Sequence, residues 1–391
     1  MMSNLTESIR NHGRDKAQSR GNISLLQLNP LNQLNPLNQL NPLSTISSDR
    51  KVGFVMKSVA RRVYSRRLCC RRILAGLTVL TIASSLMACQ VPVFRYALER
   101  WSSDQYRILV LTKGPLDAEH QAALKTLEDT SERPAQATIK VHDVSTTKDA
   151  FVKQLWKGRE KDSSPLMVAL YPERSSINAE QVASSSPLSA QSVAQVVDSP
   201  ARKEIIQKLS EGYSAVWIFL ESGDAAKDHA ALTRLQEQLE KDTEWLKLPS
   251  PEEMEITPEL LDGAKIRLQI QFSVVSVRRD DPKEQFLIDC LLNSESDLRD
   301  YKEPMAFPVF GRGRVLYAVV GQGISADTIR KASSFIAGPC SCQVKEQNPG
   351  FDLLLSCDWD ELVGETFISE PIPEGDSEPK LLTIPAGRAR P

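Results

Sequence analysis

Tyr106-Arg107-Ile108-Leu109-Val110-Leu111-Thr112, Leu166-Met167-Val168-Ala169-Leu170-Tyr171 and Ala215-Val216-Trp217-Ile218-Phe219-Leu220 are three short, nearly continuous apolar runs. Runs of this length read as strands buried on both faces. The stretches between them have helical spacing. Apolar residues recur with that period over 117–127, 148–156, 191–209 (with a bend at Pro200) and 225–246, where Leu232, Leu235 and Leu239 share one face. Residues 138–144 alternate like a further strand, and the serine-rich 173–190 reads as a loop. Strands alternating with helices of this length predict an α/β fold, with one or two sheet layers covered by helices.

Outward from this centre the pattern repeats more weakly. Residues 247–263 are rich in Pro and Glu and read as a linker. A second α/β segment follows, with strands at 266–277 and 315–320 and helices at 284–293 and 326–336. A C-terminal hairpin of 341–345 and 352–357 is expected around Asn348-Pro349-Gly350-Phe351, because Pro followed by Gly is a strong turn signal. The predicted organisation is a low-complexity segment (1–55), a signal peptide (56–88), an anchor segment (89–105), a first α/β domain (106–246), a linker (247–263), a second α/β segment (264–367) and a disordered tail (368–391).

The N-terminal region differs in texture. Residues 28–43 repeat the hexamer Leu-Asn-Pro-Leu-Asn-Gln, and a proline every six residues forbids helix. Translation could start at Met1 or at Met56, and either start retains the basic stretch beyond Met56. There Lys57, Arg61, Arg62, Arg66, Arg67, Arg71 and Arg72 occur without one acidic residue. The 16 uncharged residues 73–88 come next. A spanning helix needs about 20, so this run fits a signal-peptide core better. It ends in Leu86-Met87-Ala88-Cys89, which resembles the lipobox of bacterial lipoprotein precursors. That resemblance implies a diacylglycerol on the Cys89 thiol and cleavage between Ala88 and Cys89. Gln90, rather than Asp, resembles the outer-membrane-sorted class. An ordinary cleavage site near Cys89, or an uncleaved anchor over 73–94, are the rival readings. Ser65-Arg66-Arg67-Leu68 is similar to a twin-arginine export signal, although arginine pairs are frequent here. Just after Cys89, residues 91–101 read as a short amphipathic helix, either packed on the domain or facing the membrane.

Charge separates the two parts of the chain. Residues 1–88 hold 13 of the 48 Lys/Arg and 3 of the 50 Asp/Glu, which leaves 35 and 47 beyond them, a net of -12. Nucleic acid is therefore not an expected partner. The membrane, through a lipid anchor, is one, and an envelope protein is another.

The first three strands, with Pro165 directly before the third, resemble a thioredoxin-like fold in the first half. That family carries a cis-proline there and a redox Cys-x-x-Cys after the first strand. Here Thr112-Lys113-Gly114-Pro115 stands in the latter place, so thiol exchange is not expected at it.

The remaining chemistry is sparse. Cys290, Cys340, Cys342 and Cys357 are disulfide candidates in an exported domain. A turn at 348–351 would place Cys342 opposite Cys357, at about 4.5–5.5 Å between Cβ atoms, leaving Cys290 for Cys340. Arg312 and Arg314, between glycines, form a candidate anion-binding loop, against the commoner reading of a glycine-permitted turn. His120, His142 and His229 lack metal-ligand spacing, and Asp358, Asp360 and Glu361 read as a solvated strand end. No metal or cofactor is expected, and no residue is assigned a catalytic role. The sequence thus favours an exported, membrane-anchored lipoprotein with a non-catalytic α/β interaction or structural domain. The alternative is a periplasmic enzyme or small-ligand binder with an α/β pocket.

Overall fold

The structure is a computed structural model that describes residues 90–129, 136–159, 161–340 and 344–371. The hexamer repeat, the basic stretch, the apolar run, Cys89, Cys342 and residues 372–391 lie outside the described residues.

The three apolar runs form strands almost residue for residue: β1 (Tyr106–Thr112), β3 (Leu166–Leu170) and β5 (Ala215–Leu220). They do not share one sheet. β1 pairs in parallel with β2 (Ala137–Asp143) and antiparallel with β3, which pairs antiparallel with β4 (Val182–Pro187). The first sheet thus has the order β2-β1-β3-β4. β5 begins the second. It pairs in parallel with β6 (Phe272–Val277) and antiparallel with β7 (Met305–Phe310). The short strands β8 (Arg314–Val315) and β9 (Val319–Val320) both pair antiparallel with β7, and β10 (Phe351–Asp352) extends the edge beyond β8. Residues 215–246, expected in the first domain, therefore belong with the second sheet.

The two halves follow one plan. In the first, β1 leads through α2 (Ala118–Asp129) to β2, then through α3 (Ala150–Trp156) to β3, β4 and α4 (Ala190–Val197). In the second, β5 leads through α6 (Ala225–Trp245) and α7 (Pro258–Gly263) to β6. The chain continues through α8 (Gln285–Leu292) to β7, β8, β9 and α9 (Ala326–Ala337). Individual hydrogen bonds repeat as well. Leu188 N donates to Pro165 O at 2.9 Å and Gly321 N to Pro304 O at 2.8 Å, each tying the residue after a late strand to the proline before the third. Tyr106 N to Gln136 O (2.6 Å) and Ser214 N to Gln271 O (2.8 Å) likewise match at the parallel strand starts. Pro165 directly precedes β3, and no cis peptide bond occurs among the described residues.

Between the two sheets lies one continuous core. Ile108, Val110, Met167 and Ala169 face it from the first sheet, and Val216, Ile218, Phe307 and Val309 from the second. α4, α8 and α5 (Pro200–Ser210) fill the space with Val193, Val196, Ile205, Leu287 and Leu291. Single-helix reading of 191–209 fails at Asp198-Ser199-Pro200. Ser199 caps α5 and Pro200 occupies its first turn, where the missing N–H costs nothing. The outer face of the first sheet is covered by Val152 and Trp156 of α3. The outer face of the second is covered by α6, α9 and α1 (Val93–Arg100).

α1 packs on the domain rather than facing a membrane, since Val93 through Glu99 are all buried. Arg95 Nε donates to Glu99 at 2.7 Å and its Nη1 to Ile266 O at 2.7 Å. The Glu99 carboxylate accepts in turn from Ile368 N (3.1 Å) and Ser369 N (2.8 Å). Residues 368–369, expected to open a disordered tail, are thereby packed against the body. Met254 and Ile256 in the expected linker are buried too, beside Val91.

Most of the first arm of the expected hairpin, residues 341–343, lies outside the described residues. Residues 345–347 make a 3-10 turn, and Phe351 and Asp352 pair with Val315 and Arg314 of β8. The 315–320 run is interrupted between β8 and β9. Pro308 of β7 accepts from Leu316 N at 3.0 Å, so its N–H-lacking side faces that interruption. The break sits where a continuous partner would find no donor. Gly350 holds the approach to β10 at φ 105°, where an added Cβ would lie 1.9 Å from Val315 O. Gly350→Ala is expected to destabilise the fold by at least the roughly 1–3 kcal/mol of a strained backbone, and urea denaturation measures the loss.

Candidate functional site

Two loops follow β1 and β5, the first strands of the two sheets. In the first half, Thr112-Lys113-Gly114-Pro115 leads toward α2. Gly114 takes φ 87°, Thr112 Oγ1 donates to Gly114 O at 2.7 Å, and Gly114 N points at Asp143 Oδ1 at 3.4 Å. In the second half, Glu221-Ser222-Gly223-Asp224 leads into α6, with Gly223 at φ 91°. Asp228 closes this loop. Its Oδ1 accepts from Ser222 N (2.8 Å) and Ser222 Oγ (2.7 Å), and its Oδ2 from Gly223 N (3.0 Å). Lys227 reaches across to Glu303, next to Pro304, at 2.8 Å. Neither loop contains a thiol. Their polar groups are spent on holding the turn.

A different place gathers ionisable groups. Asp104, Arg314, Lys345 and Asp352 are all buried. Lys345 Nζ donates to Asp104 (2.8 Å), Asp352 (2.5 Å) and Ser102 O (2.6 Å). Arg314 Nη1 lies 3.2 Å from Asp352 Oδ1 and 3.8 Å from Asp104 Oδ2. Two carboxylates and two cations close the charge balance inside the protein. Burial pushes the Asp104 carboxyl above its usual range, helped by Asp352 and opposed by Lys345 and Arg314. Above this quartet is a groove of about 490 Å³, lined among others by Ser103, Asp104, Arg107, Thr138, Glu173 and Arg174. Arg107 reaches Glu173 at 3.4 Å and the Ala179 carbonyl, while its Nε and Ser103 Oγ find no protein partner. A larger groove of about 620 Å³, between the α4–α5 corner and 282–283, is lined among others by Gln191, Asp198, Lys203 and Lys283, with Asp198 and Lys203 paired at 2.6 Å.

The two arginines of the candidate anion loop make internal contacts. Arg314 donates from Nε to Pro349 O (3.0 Å) and from Nη2 to Asn348 O (2.7 Å), in addition to its pairing with Asp352. Arg312 donates to Leu98 O (2.8 Å) and Glu99 O (3.3 Å) and pairs with Asp360 at 2.8 Å. Both guanidiniums join chain segments; Arg314 is buried, while Arg312 lines a groove of about 390 Å³ together with Arg100 and Ser102. Asp358 caps α10 (Trp359–Val363) through Glu361 N at 3.0 Å. His120 bonds Asp117 at 2.7 Å on α2, and no cluster of metal-ligating side chains occurs among the described residues.

Of the two expected cysteine pairings, Cys290 with Cys340 lies wholly within the described residues. Cys290 lies in the core between the sheets, whereas Cys340 lies in the core on the far face of the second sheet, so a sheet separates them. Cys357 carries a free thiol among the described residues, and its expected partner Cys342 lies outside them. Burial pushes the Cys357 thiol up to about 12, with Asp358 adding to the shift. The buried Cys290 thiol is pushed up as well. Raised thiols hold little thiolate at pH 8. Cys290 and Cys357 are therefore expected to resist iodoacetamide at that pH in the folded protein and to react after denaturation, as peptide mass spectrometry would show.

Comparison of the chain with protein-family models gave no match, and comparison with curated proteins gave none either. The ion quartet, Asp228 and the groove over Asp104 were not legible in the sequence. The quartet draws on residues 104, 314, 345 and 352, and Asp228, though only five to six residues from Gly223 and Ser222, belongs to no motif.

Proposed function

We propose that this chain is an exported lipoprotein of the bacterial envelope, fixed to the membrane through Cys89, whose duplicated α/β body serves interaction or structure rather than turnover. The observation that carries the reading is the position of the folded body relative to Cys89. Val91, two residues on, is already buried, and Cys340 N donates to Val91 O at 3.0 Å. A chain starting at Cys89 would keep α1 and every described element. An uncleaved anchor over 73–94 fits less well, because Val91, Val93 and Phe94 are packed into the body. No helix among the described residues is long and apolar enough to cross a membrane. The thiol-free loops at 112–115 and 221–224 favour a binding or structural role over redox catalysis. Gln90 favours sorting to the outer membrane, on the strength of the lipoprotein resemblance.

Detergent-phase partitioning and mass spectrometry of the membrane-extracted protein test the anchor. The expected N-terminal peptide begins at a diacylglyceryl-Cys89, and Cys89→Ser should leave an uncut precursor. A native protein that retains residues upstream of Cys89, with an unmodified thiol, would overturn the reading.

A second reading has one observation in its favour. The groove over Asp104 combines a concave shape, convergent polar groups and a carboxyl with a raised protonation equilibrium, features that mark small-ligand sites. A thermal-shift screen of small polar compounds separates the two. A reproducible stabilisation lost in Arg107→Ala would favour ligand binding.

A further inference from the structure

We infer that the end of the body carrying Gln90, Trp245 and Lys247 lies against the phospholipid bilayer, with the Trp245 indole seated at the headgroup level. This rests on the lipid-anchor proposal and adds to it the face that meets the lipid.

The chain contains five tryptophans. Trp101, Trp156, Trp217 and Trp359 are buried, while Trp245 is 56% exposed, the highest value among the exposed large hydrophobics. It is the last residue of α6, past the end of the stripe that packs into the core through Ala231, Leu235 and Leu239. Its ring is nevertheless held in place. The Arg330 guanidinium stacks over it at 4.5 Å, and Arg330 Nε is fixed by the buried Asp242 at 2.9 Å. An ordered, amphipathic aromatic on the surface is the kind of side chain enriched at membrane–water interfaces.

Its position relative to the anchor makes the assignment. Gln90 lines one groove together with Lys247, Leu248, Pro249 and Glu253. Trp245 is two residues from Lys247, so their Cα atoms are separated by at most about 7 Å. Gln90 is the single residue between Cys89 and the buried Val91. One residue spans only about 3.3–3.6 Å, so a lipid on Cys89 draws this end of the body onto the bilayer. Charge does not explain the contact. Lys241 and Lys247 alternate with Glu244 and Glu253, and all four are exposed along this stretch. Insertion of the indole, rather than attraction to anionic lipid, supplies the affinity, and the contact should be insensitive to salt.

The test uses the full mature protein, purified with its lipid and reconstituted into phosphatidylcholine–phosphatidylethanolamine vesicles with bromine on the upper acyl chain. Bromine quenches only nearby indoles. Vesicle flotation is measured in parallel. The expected result is co-flotation with partial loss of tryptophan emission, unchanged by raised salt, and disappearance of the quenching in Trp245→Phe with flotation retained. A protein that floats with the vesicles but shows no quenching, or equal quenching in Trp245→Phe, would overturn the inference and leave the anchor standing. A protein that does not float at all would overturn both.

Discussion

Asp352→Ala is expected to cost about 3–5 kcal/mol of folding stability, the range for breaking a buried ion pair by removing one partner. Asp352 accepts from Lys345 at 2.5 Å and from Arg314 at 3.2 Å, and its Oδ2 also accepts from Asp104 N at 2.9 Å. Without it, two buried cations share one carboxylate. The quartet joins the segment before β1 to β8 and β10, so the loss should unseat both sheets together. A single cooperative urea transition at lower denaturant is the expected observation. An unchanged midpoint would mean that water reaches the site and replaces the lost contacts.

The same cluster carries a pH dependence whose sign follows from Asp104. Its folded-state carboxyl is raised by burial and by Asp352, against the pull of Lys345 and Arg314. A carboxyl raised in the folded state binds its proton more tightly there than in the unfolded chain. Stability therefore falls as pH rises from the ordinary carboxylate range through the raised folded value. Lys345→Met removes one of the two cations opposing the shift. The variant should show a steeper fall over that window, measured as the urea midpoint at successive pH values.

Trp217→Ala is the second large effect. Trp217 stands on β5 between β6 and β7, opposite Val274 and Pro308, and is fully buried. It fills the outer core of the second sheet with Phe219, Phe310 and Leu235. Truncating a buried tryptophan to alanine costs about 3–5 kcal/mol through lost transfer energy and the cavity left behind. Trp217→Phe should cost clearly less. It keeps an aromatic ring in the site, and the indole Nε1 it deletes finds no protein acceptor. Equal losses for the two variants would contradict this account. Chemical denaturation of both variants beside the parent protein provides the comparison.

How far the chain could be read varied with the physics of each element. β1, β3 and β5 were legible to within one residue because strands buried on both faces need unbroken apolar runs. β4 was hidden by Val182-Ala183-Ser184-Ser185-Ser186-Pro187, whose serines read as loop. There Ser184 Oγ is satisfied by Asp289 of α8 at 2.9 Å, a partner 105 residues away. β7 was hidden by Pro308, which a strand tolerates only because β8 and β9 part beside it. The break at Pro200 was marked in the sequence, but two separately capped helices rather than one bent helix resulted. For the candidate sites, only the lack of a thiol at 112–115 was legible. The partners of Arg312 and Arg314, Asp360 and Asp352, are 48 and 38 residues away and could not be read from the loop itself.

The alternation of apolar strands and amphipathic helices, together with the basic flank, short apolar run and Cys89, is written in local order and can be read without a fold. Which sheet each strand joins, the duplication of one plan across two sheets, the neutral quartet and the lone exposed tryptophan near the start of the body were decided by tertiary packing. Hydrophobic periodicity depends on near neighbours along the chain. Strand partnership and buried charge balance depend on residues brought together across separations as large as the 248 between Asp104 and Asp352, and no local pattern encodes that pairing.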